Sequence, residues 1–366
     1  MKRITIRDIA KMLSLSPSTV SRALSNHPDI SDATKARVNE VAHTFNYTVN
    51  LHSNFFRNRK SNLIALIIPE INMFFTPRMI RSINNALSKT EYSLSIFISN
   101  DSYEKEKEMI EQSIKWAASG VLISLSSETK DINHLKRLHD FGIKTVMLDR
   151  IVANKKFHSV TSDSYGSGYK AVNHLIQMGH KNILGLFGNS NLSITQHRIS
   201  GFRNALEENG LDIESSPMFT VKSALEVDKI IPVVLSERPQ LTSIFVMSDE
   251  LLARVHYMLT MMNKKIRDDI SLIAISDGEY PHFIHPNVTY IKDSGSKMGK
   301  KSIQTLLNLI EGHTTKLKKK TLLKTKLIEL NSVNNMKLLT ISGDNQLGTA
   351  KSTTLQSQDD AFLEAK

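Results

Sequence analysis

The chain has 366 residues, of which 40% are hydrophobic and 23% charged; these proportions exclude a disordered or collagen-like chain, and the length predicts two or three domains. It contains no cysteine, which rules out a disulfide scaffold, a Cys-ligated zinc, an iron–sulfur cluster and a Cys nucleophile. The formal net charge of +11 is unevenly placed: residues 1–60 carry ten Lys/Arg against four Asp/Glu, residues 313–326 six Lys and no acid, and residues 61–312 a net of only +1. A basic unit beside a neutral one predicts a polyanion-binding module joined to a separate sensor or scaffold; charge that serves only solubility accounts for the total equally well. The N-terminal MKRITIRDIAKMLS breaks every short apolar run with polar residues, unlike the ~7–15-residue apolar stretch of a signal peptide. Runs such as Leu63–Ile68 are far shorter than the ~20 residues that span a bilayer. The expectation is a soluble, cytoplasmic protein with no membrane segment.

The first elements are three short helices. Thr5-Ile6-Arg7-Asp8 reads as a capping box, and Ile6, Ile9, Ala10 and Leu13 recur at helical spacing. After a break at Ser14-Leu15, Ser16 is a good N-cap and Pro17 suits the first helical position, so a second helix is predicted over about 17–26 with Val20, Ala23 and Leu24 inside. A third helix follows the Ser31 cap and is predicted to bury Val38, Val41, Ala42 and Phe45. Two helices joined by a tight turn, with a third behind them, form a helix-turn-helix pattern, although any small three-helix domain shows similar spacing. The outward face of the second helix carries Pro17, Ser18, Ser21, Arg22 and Ser25. Short hydroxyls suit phosphate contacts, and one Arg reads a guanine edge bidentately.

The stretch TIRDIAKMLSLSPSTVSRALSNHPDISDATKARVNEVAHTFNYTVN, above all the S-x-x-T-V-S-R block from Ser16 to Arg22, resembles the DNA-binding headpiece of the lactose/galactose repressor (LacI/GalR) family of bacterial transcription regulators. The resemblance implies a headpiece over residues 1–48. Pro17, Ser18 and Arg22 are then placed at base edges, and Thr5, Ser16, Thr19, Ser21, Tyr47 and Asn50 at phosphates. It also implies a hinge helix within residues 49–60 that enters the minor groove, with Ser53 and Phe56 on the groove side. Here the chain departs from the family: Val49 stands where Pro is usual, Ser53 and Phe56 replace Ala and Leu, and Ser14 replaces the turn glycine. A bulky apolar wedge at a base step kinks DNA toward the major groove, so Phe56 is expected to serve as the leucine does.

From Leu63 onward, apolar runs alternate with amphipathic stretches. Strands are predicted over 63–68, 94–98, 121–124, 145–148, 183–187, 243–247, 272–275 and 289–291, and helices over 103–118, 164–178, 199–209, 225–235, 249–262 and 297–310. Such alternation implies α/β architecture with parallel sheets covered on both faces. The number of strands favours two doubly wound lobes with a ligand between them at the carboxyl ends of the strands. There is no internal repeat of period 20–50 and no low-complexity block.

The resemblance continues through VMLDR (Val146–Arg150), HLIQMGHKNI (His174–Ile183), RISGFRNAL (Arg198–Leu206) and MSDELLA (Met247–Ala253), segments similar to the family's effector-binding core. It implies a periplasmic-binding-protein-like core over residues 61–332. One lobe holds 61–161 and 292–324, the other 162–291 and 325–332, and the core also carries homodimerisation. Phe74, Phe75, Asp149, Arg198, Ser248, Asp249, Ser276 and Asp277 fall on the effector cleft. Ser248 and Ser276 stand where the family has Asn and an acid, and Asp293 falls near its usual Gln. Carboxylates and a guanidinium make charge-assisted bonds to sugar hydroxyls, and an aromatic face stacks on a sugar ring.

Other signals are weak. Gly166-Ser167-Gly168-Tyr169-Lys170-Ala171 matches G-x-G-x-x-A, but it falls inside a predicted helix with no acid about 20 residues on, so helix packing explains it better than a dinucleotide. His282 and His285 lie near Asp277 and Glu279, but Pro281 and Pro286 break any helix that would align them on a metal. The Lys316–Lys326 run is expected to be a solvated connector before the final strand, and residues 333–366, polar and rich in Ser, Thr and Gln, a disordered tail. There is no G-x-S-x-G, P-loop or H-E-x-x-H, so no enzyme and no cofactor is expected. The function implied is a sequence-specific transcriptional regulator, most often a repressor in this family. It binds a palindromic double-stranded DNA operator as a homodimer and responds to a small carbohydrate effector. The alternatives are a regulator of the same family controlled by a protein partner or a purine-like corepressor, and a sugar-binding protein without a regulatory role.

Overall fold

The computed structural model describes residues 4–45, 47, 61–71, 73–313 and 317–337. The expected hinge, with Val49, Asn50, Ser53 and Phe56, lies outside the described residues, as do residues 338–366 of the expected tail. The chain divides into two compact units, residues 1–61 and 62–366.

The first unit is built from α1 (Ile6–Leu13), α2 (Pro17–Leu24) and α3 (Asp32–Thr44). The Thr5 capping box forms: the Asp8 N–H donates to Thr5 Oγ1 at 3.4 Å, and the Thr5 N–H donates to Asp8 Oδ2 at 2.8 Å. Ile9, Ala10, Val20, Ala23, Val38 and Ala42 form its buried core. Ser14 turns the chain between α1 and α2 at φ 52, in the left-handed region that glycine occupies without strain. Two sequence expectations are corrected here. The second helix ends at Leu24, because the Ser25 hydroxyl donates to the carbonyls of Ser21 and Arg22 and closes the last turn, and Asn26 then leaves helical space at φ 53. Phe45, expected inside, caps α3 and is 50% exposed. The buried face is narrower than its apolar content suggested, with Val38 and Ala42 inside and Val41 only half-buried.

The second unit holds two six-stranded sheets. The strands are β1 (Leu63–Ile68), β2 (Ser93–Ile98), β3 (Gly120–Ile123), β4 (Lys144–Leu148), β5 (His158–Ser162), β6 (Ile183–Phe187), β7 (Met218–Thr220), β8 (Ser243–Val246), β9 (Ser271–Ser276), β10 (Thr289–Lys292), β11 (Lys320–Leu323) and β12 (Lys326–Ile328). The first sheet has the order β11-β5-β4-β3-β1-β2, all parallel, and the second β12-β10-β9-β8-β6-β7, parallel except for β12. The helices are α4 (Phe75–Leu87), α5 (Tyr103–Lys115), α6 (Lys136–Asp140), α7 (Ser164–Gln177), α8 (Ser193–Glu208), α9 (Val227–Glu237), α10 (Asp249–Met261) and α11 (Gly295–Ile310). The chain passes between the sheets three times: from β5 through α7 to β6, from β10 into α11, which packs on α4 and beside β4, and from β11 to β12. The continuous apolar strands are buried: all four residues of β3 and of β8, all five of β6 and all six of β9.

Eight strands stand where the apolar runs predicted them, within one or two residues at either end. The others, β5, β7, β11 and β12, are short or carry polar and charged side chains, and they pair at sheet edges or next to them. Helix α4 has no run of apolar residues, and α8 starts six residues earlier than its apolar period, at Ser193. The lysine-rich segment is only partly a connector: Lys320–Leu323 pairs with β5, leaving Lys320 and Leu322 outward. The start of the expected tail is also ordered. The Asn334 N–H donates to Ser271 Oγ at 2.8 Å, the Met336 N–H to the Met178 carbonyl at 2.8 Å, and the Asn334 carbonyl lies 3.2 Å from His180 Nε2. Among the described residues no helix is long and apolar enough to cross a membrane.

Candidate functional site

Two surfaces collect the residues singled out in the sequence. On the first unit, the buried side of α2 is set by Val20 and Ala23, which leaves Pro17, Ser18 and Arg22 exposed on the opposite face. The Ser16 hydroxyl caps the helix by accepting from the Thr19 N–H at 3.0 Å. It also sits 2.7 Å from Ser18 Oγ and 2.8 Å from Thr19 Oγ1, so three hydroxyls cluster at the helix N-terminus, where the backbone dipole favours an anion. Thr5 is exposed but engaged in its capping box, Ser21 is half-buried, and Tyr47 packs against the core through its ring and donates its N–H to the Ala42 carbonyl at 2.8 Å. Arg22 extends from the last turn of α2 with no ion pair among the described residues.

On the second unit, a cavity of about 590 Å³ opens between the two sheets. Its walls include residues directly after six strands: Ser124 after β3, Asp149 after β4, Gly188 after β6, Met247 and Ser248 after β8, Asp277 after β9 and Asp293 after β10. Parallel strands bring their carboxyl ends to one edge, and there the chain must leave the sheet and exposes turn residues. Asp149 illustrates the geometry: it turns away from β4 at φ 58, a left-handed conformation that Asp tolerates better than most residues.

Seven of the eight predicted cleft residues line the cavity: Phe75, Asp149, Arg198, Ser248, Asp249, Ser276 and Asp277. Phe74 is not among the lining residues; its ring stacks with Tyr280 and meets Phe283 edge-on, both at 6.1 Å between centroids. Arg198, 7% exposed, is fixed on α8 by donating to the Met247 carbonyl at 3.0 Å and to Asp293 Oδ2 at 3.2 Å. Asp293 also accepts from the Ser162 hydroxyl at the end of β5, so one carboxylate joins both sheets to the guanidinium. Ser248 caps α10 by accepting from the Leu251 N–H at 3.4 Å, which places Asp249 as the first residue of that helix. The Asp277 N–H donates to Asp249 Oδ2 at 3.5 Å.

Burial dominates the electrostatics. It holds the Asp149 carboxyl above the ordinary carboxylate range, pushes Asp249 up to about 6 and Asp277 up to about 7; Arg150, Ser276 and Arg78, respectively, oppose it most. Asp249 Oδ1, both Asp277 carboxylate oxygens and Arg198 Nε are buried without a hydrogen bond among the described residues. Contacts that join segments of the two sheets include the Met73 N–H to Glu250 Oε1 at 3.3 Å, Arg78 to Glu279 and to Asp277, and the Ser193 hydroxyl to the Ile151 carbonyl at 2.9 Å.

Sequence reasoning did not select Asp101, Ser124, Arg150 or Glu250, and named Asp293 only as a departure from the family's Gln; all five line the cavity. Their signal was positional, since each lies within four residues of a strand's carboxyl end. The Gly166–Gly168 pair lies within α7. A Cβ on Gly168 would fall 2.3 Å from the Arg198 carbonyl oxygen, so this glycine serves the close crossing of α7 and α8. His282 lies in a single 3₁₀ turn, and among the described residues no three His, Asp or Glu side chains converge as a metal site.

Comparison with known proteins assigns both units. Residues 5–50 match the family described as bacterial regulatory proteins, lacI family, and residues 61–329 match periplasmic binding proteins and sugar binding domain of LacI family. The HTH-type transcriptional regulator DegA of Bacillus subtilis (strain 168) is 27% identical over 298 residues, covering 81% of this chain and 88% of DegA. The Lac repressor dimer bound to operator and the anti-inducer ONPF superposes with a TM-score of 0.80 at 20% identity, over 91% of this chain and 100% of that one. The transcriptional regulator CelR–cellobiose complex superposes with a TM-score of 0.66 at 21% identity, over 90% of this chain and 100% of that one. With a headpiece match followed by a core match over most of its length, the chain belongs to the LacI family of bacterial regulatory proteins.

Proposed function

We propose that this chain is a transcriptional regulator, acting as a repressor, whose affinity for a palindromic operator is set by a small ligand in the core cavity. The observation that carries it is the pairing, on one chain, of an exposed Arg22 on a capped helix-turn-helix with a cavity at the carboxyl ends of two parallel sheets. Arg22, with Pro17 and Ser18, meets base edges in the major groove; Thr5, Ser16, Thr19, Ser21, Tyr47 and Asn50 meet phosphates; Ser53 and Phe56 enter the minor groove. The working form is a homodimer, because a palindrome presents two half-sites about one DNA turn apart. The headpiece is residues 1–48, the hinge 49–60, and the core 61–332 with the lobe boundaries given above. A target on chromosomal DNA places the protein in the cytoplasm, and no catalytic step is assigned to it.

In the core, Asp149, Arg198, Asp249 and Asp277 bind the polar groups of the ligand, Phe75 its apolar face, and Ser248 and Ser276 complete the lining. CelR, one of the structural neighbours, is a cellobiose complex, which supports a carbohydrate-like ligand. A ligand that draws the two sheets together alters how the hinge segments pair, a coupling of typically ~1–3 kcal/mol. The test is a gel-shift titration on palindromes from the gene's own upstream region at two salt concentrations. Specific binding that steepens as salt falls, and that Arg22→Ala weakens, is the expected result; equal affinity for all duplexes with Arg22→Ala unchanged would refute it.

A further inference from the structure

The charge around the cavity is not that of a site for a neutral molecule alone. Seven carboxylates line it against three cationic side chains, Arg150, Arg198 and Lys222. Two of those cations are already committed: Arg150 pairs with Glu70 at 2.9 Å and Asp101 at 3.1 Å, and Arg198 with Asp293 at 3.2 Å. Lys222 is exposed at the rim. The deepest acids are the least compensated. Asp277 is 2% exposed and Asp249 6% exposed, yet Asp249 Oδ1 and both Asp277 carboxylate oxygens have no hydrogen bond among the described residues. Arg78 Nε forms an ion pair with Asp277 at 3.6 Å, but it is shared with Glu279, to which its guanidinium donates, and it makes no hydrogen bond to the Asp277 carboxylate. A buried carboxylate whose oxygens accept no hydrogen bond is unfavourable, and such a group on a cavity wall favours a hydrogen-bonding cationic partner from the ligand.

Resting on the reading of this cavity as the ligand site, we infer that its ligand carries an ammonium group, received by Asp277 and Asp249, on a hydroxyl-bearing ring such as that of an amino sugar. The two acids are adjacent, since the Asp277 N–H reaches Asp249 Oδ2 at 3.5 Å. A bare metal ion does not fit, because no three acidic or His side chains converge among the described residues. A ring does fit: the cavity of about 590 Å³ offers Phe75 for an apolar face and the unpaired Arg198 Nε–H for a hydroxyl oxygen. Burial raises both Asp249 and Asp277, to about 6 and about 7, a shift that an ammonium group placed beside them opposes.

The test is calorimetric titration of the full chain at pH 7 with matched probes: glucosamine, galactosamine and mannosamine, each against its neutral parent hexose and its N-acetyl derivative. The expected result is at least tenfold tighter binding of one free amine than of both its neutral counterparts, with that preference lost in Asp277→Asn. Asp249→Asn, expected to reduce the preference in the same sense, serves if the first variant does not fold by circular dichroism. A neutral hexose or N-acetyl sugar binding as tightly as its amine would overturn the ammonium while leaving the cavity a ligand site. Silence of every probe, on a preparation that still binds operator DNA, would overturn it together with the sugar-like ligand itself.

Discussion

Arg198 on α8 donates to Asp293 at 3.2 Å, and through this buried pair the second sheet is tied to the segment where the chain returns to the first. Asp293 is 5% and Arg198 7% exposed, so neither charge is well solvated. Removing one partner of a buried pair leaves the other charge uncompensated, at a cost of ~3–5 kcal/mol. Asp293→Ala is therefore expected to lower the urea midpoint of the core by a corresponding amount. Asp293→Asn, which keeps an acceptor for Arg198, is expected to lose less. Equal stability of wild type and Asp293→Ala in urea titrations would show the pair to be energetically idle.

The crossing of α7 and α8 depends on two glycines. A Cβ on Gly168 would meet the Arg198 carbonyl oxygen at 2.3 Å, and one on Gly201 the Tyr165 carbonyl oxygen at 2.1 Å. Both obstacles are backbone, so the helices must separate to admit a methyl group. Gly168→Ala and Gly201→Ala are each expected to destabilise the core by ~1–3 kcal/mol. Gly168→Ala also displaces the turn that carries Arg198, so it should weaken ligand binding, whereas a surface Gly210→Ala, with open space around it but φ +66, should affect stability alone. Calorimetric melting and ligand titration of the three variants separate these effects.

Ser14 occupies a left-handed turn at φ 52. An L-residue with a side chain is strained there by roughly 1 kcal/mol, and glycine is not. Ser14→Gly is expected to slow hydrogen exchange of the α1 and α2 amides by several-fold in the full chain, corresponding to ~0.5–1 kcal/mol. Unchanged or faster exchange would mean that the turn is not strained.

Asp277 makes stability depend on pH. Its folded value is about 7, against ~3.9 for an unfolded Asp. Between these values the folded protein binds the proton and the unfolded chain does not, so stability is greatest at the acid end and falls as pH rises through about 7, by ~1.4 kcal/mol per unit at most. Asp249, at about 6, acts in the same direction. Buried His180, lowered to about 4, contributes the opposite slope, so the effect is read as a difference: the melting temperature of the ligand-free protein relative to Asp277→Asn is expected to decline from pH 5 to pH 8. A wild-type melting temperature that rises relative to Asp277→Asn over this range would contradict the assignment.

The headpiece was legible in the sequence because its signals are local. Thr5 and Ser16 cap within three residues, and Val20 with Ala23 defines a face within one helix. Central strands such as Ile183–Phe187 were legible because burial on both faces demands an unbroken apolar run. Three of the four edge strands, β7, β11 and β12, were not, nor was β5 beside one of them. Lys320–Leu323 read as part of a solvated connector and His158–Ser162 gave no strand signal, yet each completes the other's backbone hydrogen bonding, a pairing between segments 158 residues or more apart that no local window contains. The common order of the two sheets was equally hidden, since it is carried by backbone topology and not by repeated side chains. In the cavity, single acids after strands could be named, but the pairing of Arg198 with Asp293, which decides how much positive charge remains for a ligand, required the fold.

The most direct measurement is operator affinity of the full chain by fluorescence anisotropy at fixed salt, with the cavity empty and then saturated by whichever probe the calorimetric series identifies. Occupancy is expected to change the dissociation constant by about 5- to 150-fold, the span of an ordinary coupling free energy, and Asp149→Ala, which removes a cavity contact far from the α2 sequence, is expected to abolish that change. An operator affinity that stays the same at saturating ligand would contradict control of the headpiece by the cavity.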